Sequence, residues 1–255
     1  MNVNAPTKAV ILAAGLGSRL RPLTDLRPKP LVEVNGTPII HNALRNLKAV
    51  GVEEVTIVVG YRKDAIQHAC GSHFGGLKIN YVESSVFDRT GSAYSLWLAR
   101  EALVAGDCYL LEGDVFFEED VLRSLTMGVA RNAAAVAPFD PSMEGSAVVL
   151  DDEGFISEVR LKQSAANLGV SDGPTLFKTM NLIAFSIADL RSMIVPALDD
   201  LIGSGAIKAY TEELLACLIK HRGLQLAATR CDGLRWYEID SEQDLHVAQA
   251  IFGSI

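Results

Sequence analysis

Four short apolar runs in the first half of the chain constrain the fold more than any other feature. They are "KAVILAAG" (8–15), "VEEVTIVVG" (52–60), "LKINYVE" (77–83) and "DCYLLEGD" (107–114). Each has the length of a strand, not of a helix, and the first two read as buried strands. Helical patterns fill the gaps. "IIHNALRNLKAVG" carries apolar residues at 40, 43, 44, 47 and 50 and stops at Gly51. "RKDAIQHACGSHF", "GSAYSLWLAREAL" and "EEDVLRSL" read as further helices. Strand and helix alternating at this spacing over residues 8–130 specify an α/β fold. The expectation is a Rossmann-like, mixed but mostly parallel central sheet with helices on both faces.

Beyond about residue 132 the pattern changes to strands in succession, "NAAAVAPF", "SAVVLDDEGFISEVR" and "LFKTMNLIAFS", with "DDEG" (151–154) as a hairpin turn. Two helices follow, and Pro196 is expected to kink or split the first. "LQLAATR" is one more strand. "SEQDLHVAQAIF" is a closing helix, with Ser241 as N-cap and Asp244 three residues on. Asn35-Gly36 is a turn signal, and Thr37-Pro38 is expected to start a helix with proline at its first position. Residues 162–175, "KQSAANLGVSDGPT", read as a flexible segment. No Pro/Gly/Ser-rich linker divides the chain, so residues 1–255 are expected to form one domain.

Composition excludes several functions. The net charge of −8 argues against nucleic acid or an anionic membrane as partner, though not against a small anion held by a local basic cluster. No run approaches the ~18 apolar residues of a membrane helix, and the start shows no signal peptide, so the cytoplasm is the expected location. Cys70, Cys108, Cys217 and Cys231 form no CxxC pair and read as free thiols. The five histidines are dispersed, without HExxH.

The chemistry begins at "LAAGLGSRLRPLT" (12–24), directly after the first strand. A dinucleotide fingerprint fails because Leu20 stands where the third glycine belongs. A Walker A loop fails because Leu20 and Arg21 stand where Gly-Lys belongs. The loop instead combines backbone freedom at Gly15 and Gly17 with cations. Residues 15–30 hold Arg19, Arg21, Arg27 and Lys29 against Asp25 alone. A basic, glycine-bearing strand exit on the ligand side of a parallel sheet suits polyphosphate.

"LAAGLGSRLRPLTDLRPKPLVEVNGTPII" resembles the opening of the nucleotidyltransferases that activate sugar phosphates and related small phosphorylated molecules. Gly15, Gly17, Ser18, Arg19, Leu20, Pro22, Thr24, Pro28, Lys29 and Leu31 match the family pattern G-x-G-[ST]-R-[LM]-x-P-x-T … P-K-x-[LM]. The resemblance implies that Leu12, Ala13 and Ala14 meet the base with Gly60, Gly91 and Ser92, and that Gly15, Gly17, Ser18, Arg19 and Lys29 hold the triphosphate. It also implies Asp114 and Asp240 as ligands of a Mg²⁺ cofactor. Arg19, Lys29, Asp114 and Asp240 are then the catalytic set. Residues 8–130 form the nucleotide half, and 131–255 the acceptor half with the second metal ligand.

The later segments, "YEIDSEQDL" above all, resemble the branch of phosphocholine and 2-aminoethylphosphonate cytidylyltransferases. That implies CTP, or another nucleoside triphosphate, and a small phosphate or phosphonate acceptor as partners. A homodimer is a further expected partner arrangement. Glu144, Lys162, Lys178 and Asn181 are the candidate acceptor residues. Glu144 could pair an ammonium group or belong to a surface turn, and Lys178 could meet an anion or snorkel to solvent. One segment departs from the branch: its T-N-N-x-Y-S-L is here Thr90-Gly91-Ser92-Ala93-Tyr94-Ser95-Leu96. Base and acceptor choice therefore stay open. A uridylyl- or thymidylyltransferase for a sugar 1-phosphate and a non-catalytic nucleotide-binding homologue remain the alternatives.

Overall fold

The computed structural model describes residues 5–126, 128, 130–140, 143–164 and 174–253. Of the segment expected to be flexible, residues 165–173 lie outside the described residues. In chain order the strands are β1 Lys8–Ala13, β2 Glu33–Val34, β3 Thr37–Pro38, β4 Glu54–Val59, β5 His73–Phe74, β6 Leu77–Glu83 and β7 Cys108–Glu112. They continue as β8 Val115–Phe117, β9 Ala133–Pro138, β10 Gly145–Leu150, β11 Ile156–Gln163, β12 Phe177–Phe185, β13 Ala227–Arg230 and β14 Trp236–Glu238. The principal helices are α1 Ile39–Ala49, α2 Lys63–Cys70, α3 Ser92–Leu98, α4 Asp120–Ser124, α5 Val195–Gly203, α6 Thr211–Arg222 and α7 Glu242–Phe252.

Ten strands form one mixed sheet in the order β11-β10-β12-β7-β1-β4-β6-β5, with β9 on β12 and β13 on β9. The four apolar runs of the first half make its parallel centre, β7-β1-β4-β6. β12 joins β7 antiparallel and brings in β9 and β10, so the sheet spans both halves of the sequence. Helices cover both faces, as expected. Ala9, Ile11 and Ala13 of β1 pack with Ile40, Leu44 and Leu47 of α1 and Ile66 of α2. Val10 and Leu12 pack on the other face with Leu96 of α3, Leu198 of α5 and Leu218 of α6. This alternation is the period-2 geometry of a strand buried on both sides.

The sheet order fixes where a ligand can sit. β1 is flanked by β4 on one side and β7 on the other, so the winding direction reverses between β1 and β7. Such a reversal opens a crevice beyond the carboxyl ends of the two strands. Residues 13–19 leave β1 there, and Glu112–Asp114 leave β7 there.

A small third core closes the crevice. Leu20, Val32, Val34, Ile39, Phe116, Ile239, Leu245 and Ala248 pack together, joining the loop after β1 to α7. Burying each large side chain contributes about 1.5–3 kcal/mol. β8 pairs antiparallel with β14, Val115 opposite Glu238. The Ile239 N–H then donates to the Asp114 carbonyl at 2.9 Å, which sets Asp114 beside Asp240 across 126 residues of sequence. α1 anchors β8: Asn46 Nδ2 donates to the Phe117 carbonyl at 2.7 Å, and the Phe117 N–H donates to Asn42 Oδ1 at 3.1 Å.

Two local expectations change. The Asn35-Gly36 turn forms, with φ 49° and 80°, but it connects β2 to β3, and Pro38 ends β3 instead of opening the helix. α1 starts one residue later, at Ile39. The helical run around Pro196 changes character without breaking: Leu190–Ile194 is a π-helical turn, and α5 continues from Val195 with proline near its start. The Ser241 cap is present, with Asp244 completing a capping box.

Candidate active site

The crevice is a cavity of about 660 Å³. Its floor at the β1 end is Leu12, Ala13, Ala14 and Gly15. Gly17, Ser18 and Arg19 form one wall with Lys29. Gly17 alone of the two loop glycines adopts left-handed backbone (φ 62°). A Cβ there would meet Lys29 Cβ at 2.8 Å and Thr24 Cγ2 at 3.1 Å, so glycine is needed for space as well as conformation. Gly15 was expected to share that freedom. It does not take positive φ, and open space surrounds it on the cavity side. Thr24 Oγ1 donates to the Gly17 carbonyl at 2.8 Å and staples the loop into shape.

Only two of the four loop cations face the cavity. Arg21 turns to Asp25 (3.2 Å) and Arg27 to Glu33 (3.3 Å), both exposed pairs of little energetic weight. Lys29 Nζ instead bridges Asp114 Oδ2 at 2.9 Å and Asp240 Oδ1 at 2.6 Å, and Arg19 reaches the same Asp240 oxygen at 2.9 Å. Burial alone would strip the charge from Lys29, but the Asp114 and Asp240 carboxylates outweigh it and hold its pKa above the ordinary lysine value. Burial likewise works to raise the Asp240 carboxyl. The Lys29 ammonium, bonded to it and close by, overcomes that and holds it below the ordinary range.

The carboxylates carry the other half of the chemistry. Asp114 Oδ1 is buried and has no hydrogen-bond partner, although its twin oxygen is paired to Lys29. A bare carboxylate oxygen facing a polar cavity is the kind of atom a cation satisfies. Glu238 lies two residues before Asp240 on the same side of the chain and also lines the cavity. Burial raises its pKa. Lys178 opposes that rise, while Asp114 and Asp240 add to it. Glu112 is raised well above its ordinary value by burial and by repulsion from Glu212, Asp114 and Glu238. Among the described residues no cluster of three or more His, Cys, Asp or Glu side chains is already arranged around one metal position. The cavity lining carries Arg19, Lys29 and Lys162 against Glu112, Asp114, Glu144, Glu212, Glu238 and Asp240, three cations against six anions, a formal balance of −3.

The remaining sequence candidates divide. Gly91, Ser92, Glu144, Lys162 and Asn181 all line this cavity. Lys162 and Asn181 both hold left-handed backbone, φ 53° and 54°, which is uncommon outside glycine. Asn181 sits in a bulge of β12 beside β9, with its N–H donating to Thr179 Oγ1 at 3.1 Å. Two candidates move. Gly60 is not on the cavity wall: a Cβ there would meet the Ala14 carbonyl at 2.7 Å and the Phe87 side chain at 2.8 Å, so this glycine lets Phe87 pack behind the β1 exit. Lys178 neither snorkels nor faces the main cavity. It is buried, and its Nζ donates to Glu238 at 2.6 Å. It lines a smaller adjoining cavity of about 240 Å³ with Trp236, Tyr237 and Met143.

The segment that departs from T-N-N-x-Y-S-L has a structural reason. A Cβ on Gly91 would lie 2.1 Å from the Ala209 carbonyl oxygen and 2.5 Å from that of Lys208. Gly91 N–H donates to Ile207 O at 2.9 Å. Ser92 Oγ accepts from both the Thr211 N–H (2.9 Å) and the Thr211 hydroxyl (3.0 Å). Gly91 and Ser92 thus dock the loop that starts α6. That docking brings Tyr210 and Glu212 to the cavity wall, where Ser146 Oγ donates to Glu212 Oε1 at 3.0 Å. Sequence reasoning passed over Phe87, Ser95, Glu112, Ser146, Tyr210, Glu212 and Glu238. The "E-x-D" spacing shared by Glu112/Asp114 and Glu238/Asp240 was a signal that could have flagged two of them.

Residues 9–178 match the MobA-like NTP transferase domain. The chain belongs to the MobA-like NTP transferase family. As an NTP transferase it has relatives along almost its full length. It is 31% identical over 254 residues to choline-phosphate cytidylyltransferase of Streptococcus pneumoniae, covering 96% of this chain and 97% of that protein. It is 37% identical over 249 residues to CMP-5'-(3-aminopropyl)phosphonate synthase of Streptomyces rubellomurinus, covering 97% of this chain but spanning only 39% of that protein's length. The solved structure of the Streptococcus pneumoniae CTP:phosphocholine cytidylyltransferase superimposes with a TM-score of 0.78 at 25% identity, over 96% of this NTP transferase and 98% of that chain. A UDP-glucose pyrophosphorylase complexed with UDP-glucose shares the fold, with a TM-score of 0.78 at 16% identity. No helix among the described residues is long and apolar enough to cross a membrane.

Proposed function

We propose that this NTP transferase moves CMP from CTP to a small phosphonate or phosphate acceptor bearing a cationic nitrogen, like 2-aminoethylphosphonate or phosphocholine, and releases pyrophosphate. One observation carries the reading: Arg19, Lys29, Asp114 and Asp240 meet within hydrogen-bond distance at the β1/β7 crevice. The chain containing that arrangement aligns end to end with a cytidylyltransferase. Residues 1–255 work as one domain, with 8–130 taking the nucleotide and 131–255 supplying the acceptor wall and Asp240.

An acceptor oxygen attacks the α-phosphorus of CTP in line. The new P–O bond forms as the bond to the β-phosphate oxygen breaks, and pyrophosphate departs with that electron pair. The acceptor oxygen is already anionic at neutral pH, so no general base is required. The barrier is anion repulsion and orientation, which calls for positioning and charge neutralisation. Ala13, Ala14 and Gly15 offer backbone to the base and ribose. The Gly17–Arg19 wall and Lys29 would neutralise phosphate oxygens and the departing pyrophosphate. Arg19 offers a planar fork suited to two oxygens at once.

Two features of the cavity support a Mg²⁺ ion as cofactor. Carboxyl groups outnumber cations in its lining, and Asp114 Oδ1 is a buried oxygen without a partner. Asp114 and Asp240 would hold the ion, with Glu238 alongside. When bound, it would supply positive charge that offsets the charge of the reacting phosphate groups. Lys29, which bridges the same two carboxylates, would be available to the incoming phosphates.

The test is pyrophosphate release with CTP, UTP, dTTP and ATP crossed against aminoalkylphosphonates, phosphocholine and sugar 1-phosphates, with and without Mg²⁺. CTP with an amino-bearing acceptor and Mg²⁺ should turn over best, and EDTA should abolish release. Selective turnover of UTP or dTTP with sugar 1-phosphates would replace this reading. Tight CTP binding without turnover of any acceptor would make the chain a nucleotide-binding homologue.

A further inference from the structure

One end of the cavity carries no charge. Its charged lining comes from Arg19 and Lys29 after β1, from the end of β7, and from elements beyond β7. Segment 87–95 contributes Phe87, Thr90, Gly91, Ser92 and Ser95, all uncharged, and meets Leu12, Ala13 and Ala14. Phosphates belong with Arg19 and Lys29. The base therefore belongs at the uncharged end, where a heterocycle finds apolar surface with a few polar groups. Phe87 is the largest side chain there.

Phe87 has no room to retreat from a ligand. Gly60 stands directly behind it. A Cβ on Gly60 would lie 2.8 Å from both Cβ and Cγ of Phe87 and 2.7 Å from the Ala14 carbonyl oxygen. Phe87 thus already fills the space that a side chain at residue 60 would take. It also packs on the core cluster that contains Leu12, Ala14 and Val58. The Tyr61 ring lies beside it, tilted, with centroids 6.2 Å apart, and the Tyr61 hydroxyl donates to the Thr24 carbonyl at 2.9 Å. The backbone that carries Phe87 is fastened as well. Before the turn, the Ser84 N–H donates to the Val59 carbonyl at 2.8 Å; after it, the Gly91 N–H donates to the Ile207 carbonyl at 2.9 Å. Within the turn, the Val86 carbonyl accepts from the Arg89 N–H at 3.1 Å and from the Thr90 hydroxyl at 2.9 Å. The floor is held too, since the Tyr61 N–H donates to the Ala14 carbonyl at 3.0 Å.

Pyrimidine and purine present different lengths to such a wall. The second, fused ring of a purine adds roughly 2 Å to the base at ordinary bond lengths. Close-packed protein does not yield by that much without cost. We infer that Phe87, backed by Gly60, is the end wall of the base pocket and makes the enzyme select pyrimidine nucleotides by size. On the CMP-transfer reading, on which this assignment rests, Phe87 limits the nucleotide and not the acceptor. Cytosine and uracil are equal in size, so the wall separates CTP from ATP and is blind to CTP against UTP.

The experiment measures kcat/KM for CTP, UTP, ATP and GTP, with Mg²⁺ and the acceptor that turns over best, in wild type, Phe87→Leu and Phe87→Ala. Calorimetry gives the CTP and ATP affinities of the same samples. Wild type should favour CTP over ATP by at least ~100-fold. Both variants should shrink that ratio at least ~10-fold, Phe87→Ala the more, in turnover and in affinity. The CTP:UTP ratio should change less than ~threefold. General damage to the fold would lower all four nucleotides together and leave both ratios in place. If Phe87→Ala does not fold, Phe87→Leu decides. A CTP:ATP ratio unaltered in the folded variants, or a CTP:UTP ratio that falls in step with it, overturns the size wall and leaves CMP transfer standing. A wild type that turns over no nucleotide with any acceptor, or takes ATP as readily as CTP, overturns the proposed function and the wall with it.

Discussion

Replacing Lys29 by methionine, which keeps the stem and removes the charge, should destabilise the nucleotide-free protein measurably. Lys29 Nζ lies 2.9 Å from Asp114 Oδ2 and 2.6 Å from Asp240 Oδ1, so those two oxygens are at most about 5.5 Å apart. At that separation and an effective dielectric of about 20, two unit charges repel by roughly 3 kcal/mol. Breaking a buried pair from one side typically costs ~3–5 kcal/mol. Arg19 stays on Asp240 at 2.9 Å and offsets part of this, although it is 68% exposed. The expected loss is therefore about 2–3 kcal/mol, or roughly 4–12 °C in Tm for a chain of this size. Urea unfolding without divalent ions measures it. Lys29→Met/Asp114→Asn should be more stable than Lys29→Met alone by at least ~1 kcal/mol, because the repulsion is gone. Millimolar Mg²⁺ should narrow the gap between Lys29→Met and wild type. Wild-type stability for Lys29→Met, together with ordinary additive behaviour of the double variant, would show that the bridge does not balance the two carboxylates.

Three further outcomes follow from the packing and the charges. Leu245→Ala opens the small core that ties α7 to the loop after β1 and should cost about 2–5 kcal/mol. It should also lower turnover by displacing Asp240; unfolding and kcat measured on the same sample check both, and full activity in a destabilised variant would refute the coupling. Gly91→Asn restores the branch's asparagine but forces a Cβ to within 2.1 Å of the Ala209 oxygen. It should cost ~1–3 kcal/mol by overpacking, and unchanged stability would refute the close docking of the 207–211 loop. Glu54 is held down to about 2 by hydrogen bonds from Lys78, Lys8 and Asn80. Its folded pKa is depressed, so its contribution is fully present above pH ~4.5 and is lost as pH falls towards 2, about 1–2 kcal/mol at this partly solvated site. A stability-against-pH curve for Glu54→Gln should be flatter in that window, and a curve parallel to wild type would refute it.

The sequence made the parallel centre of the fold legible because β1, β4 and β7 are buried on both faces and therefore read as nearly continuous apolar runs, while β6, partly exposed, reads as a strand by its length and alternation. The loop cations were legible as a set, but not the division between Arg19 and Lys29, which face the cavity, and Arg21 and Arg27, which turn to Asp25 and Glu33. That division depends on the Gly17–Thr24 staple and the third core, both long-range packing facts. The resemblance pointed to Asp114 and Asp240 as partners, and the β8–β14 pairing gives the physical means of their meeting; no spacing in the chain encodes it. The anion that Lys178 meets was not legible, because Glu238 comes from a strand 51 residues further on. Gly60 was assigned to the nucleotide by resemblance, while its actual constraint is the approach of Phe87 to the Ala14 backbone. Glu112 and Glu212 escaped notice because a carboxylate at a strand end or in the first turn of a helix is commonplace, and only the cavity makes them unusual.

The most direct measurement is a phosphorus NMR time course of the purified protein with CTP, Mg²⁺ and 3-aminopropylphosphonate. The account requires the phosphonate resonance and the CTP α-phosphorus to convert together into a coupled pair across a new P–O–P bond, as free pyrophosphate accumulates in equal amount, with no conversion in Asp114→Asn/Asp240→Asn. Pyrophosphate or phosphate appearing without a phosphonate-linked CMP, or equal conversion in the double variant, would contradict it.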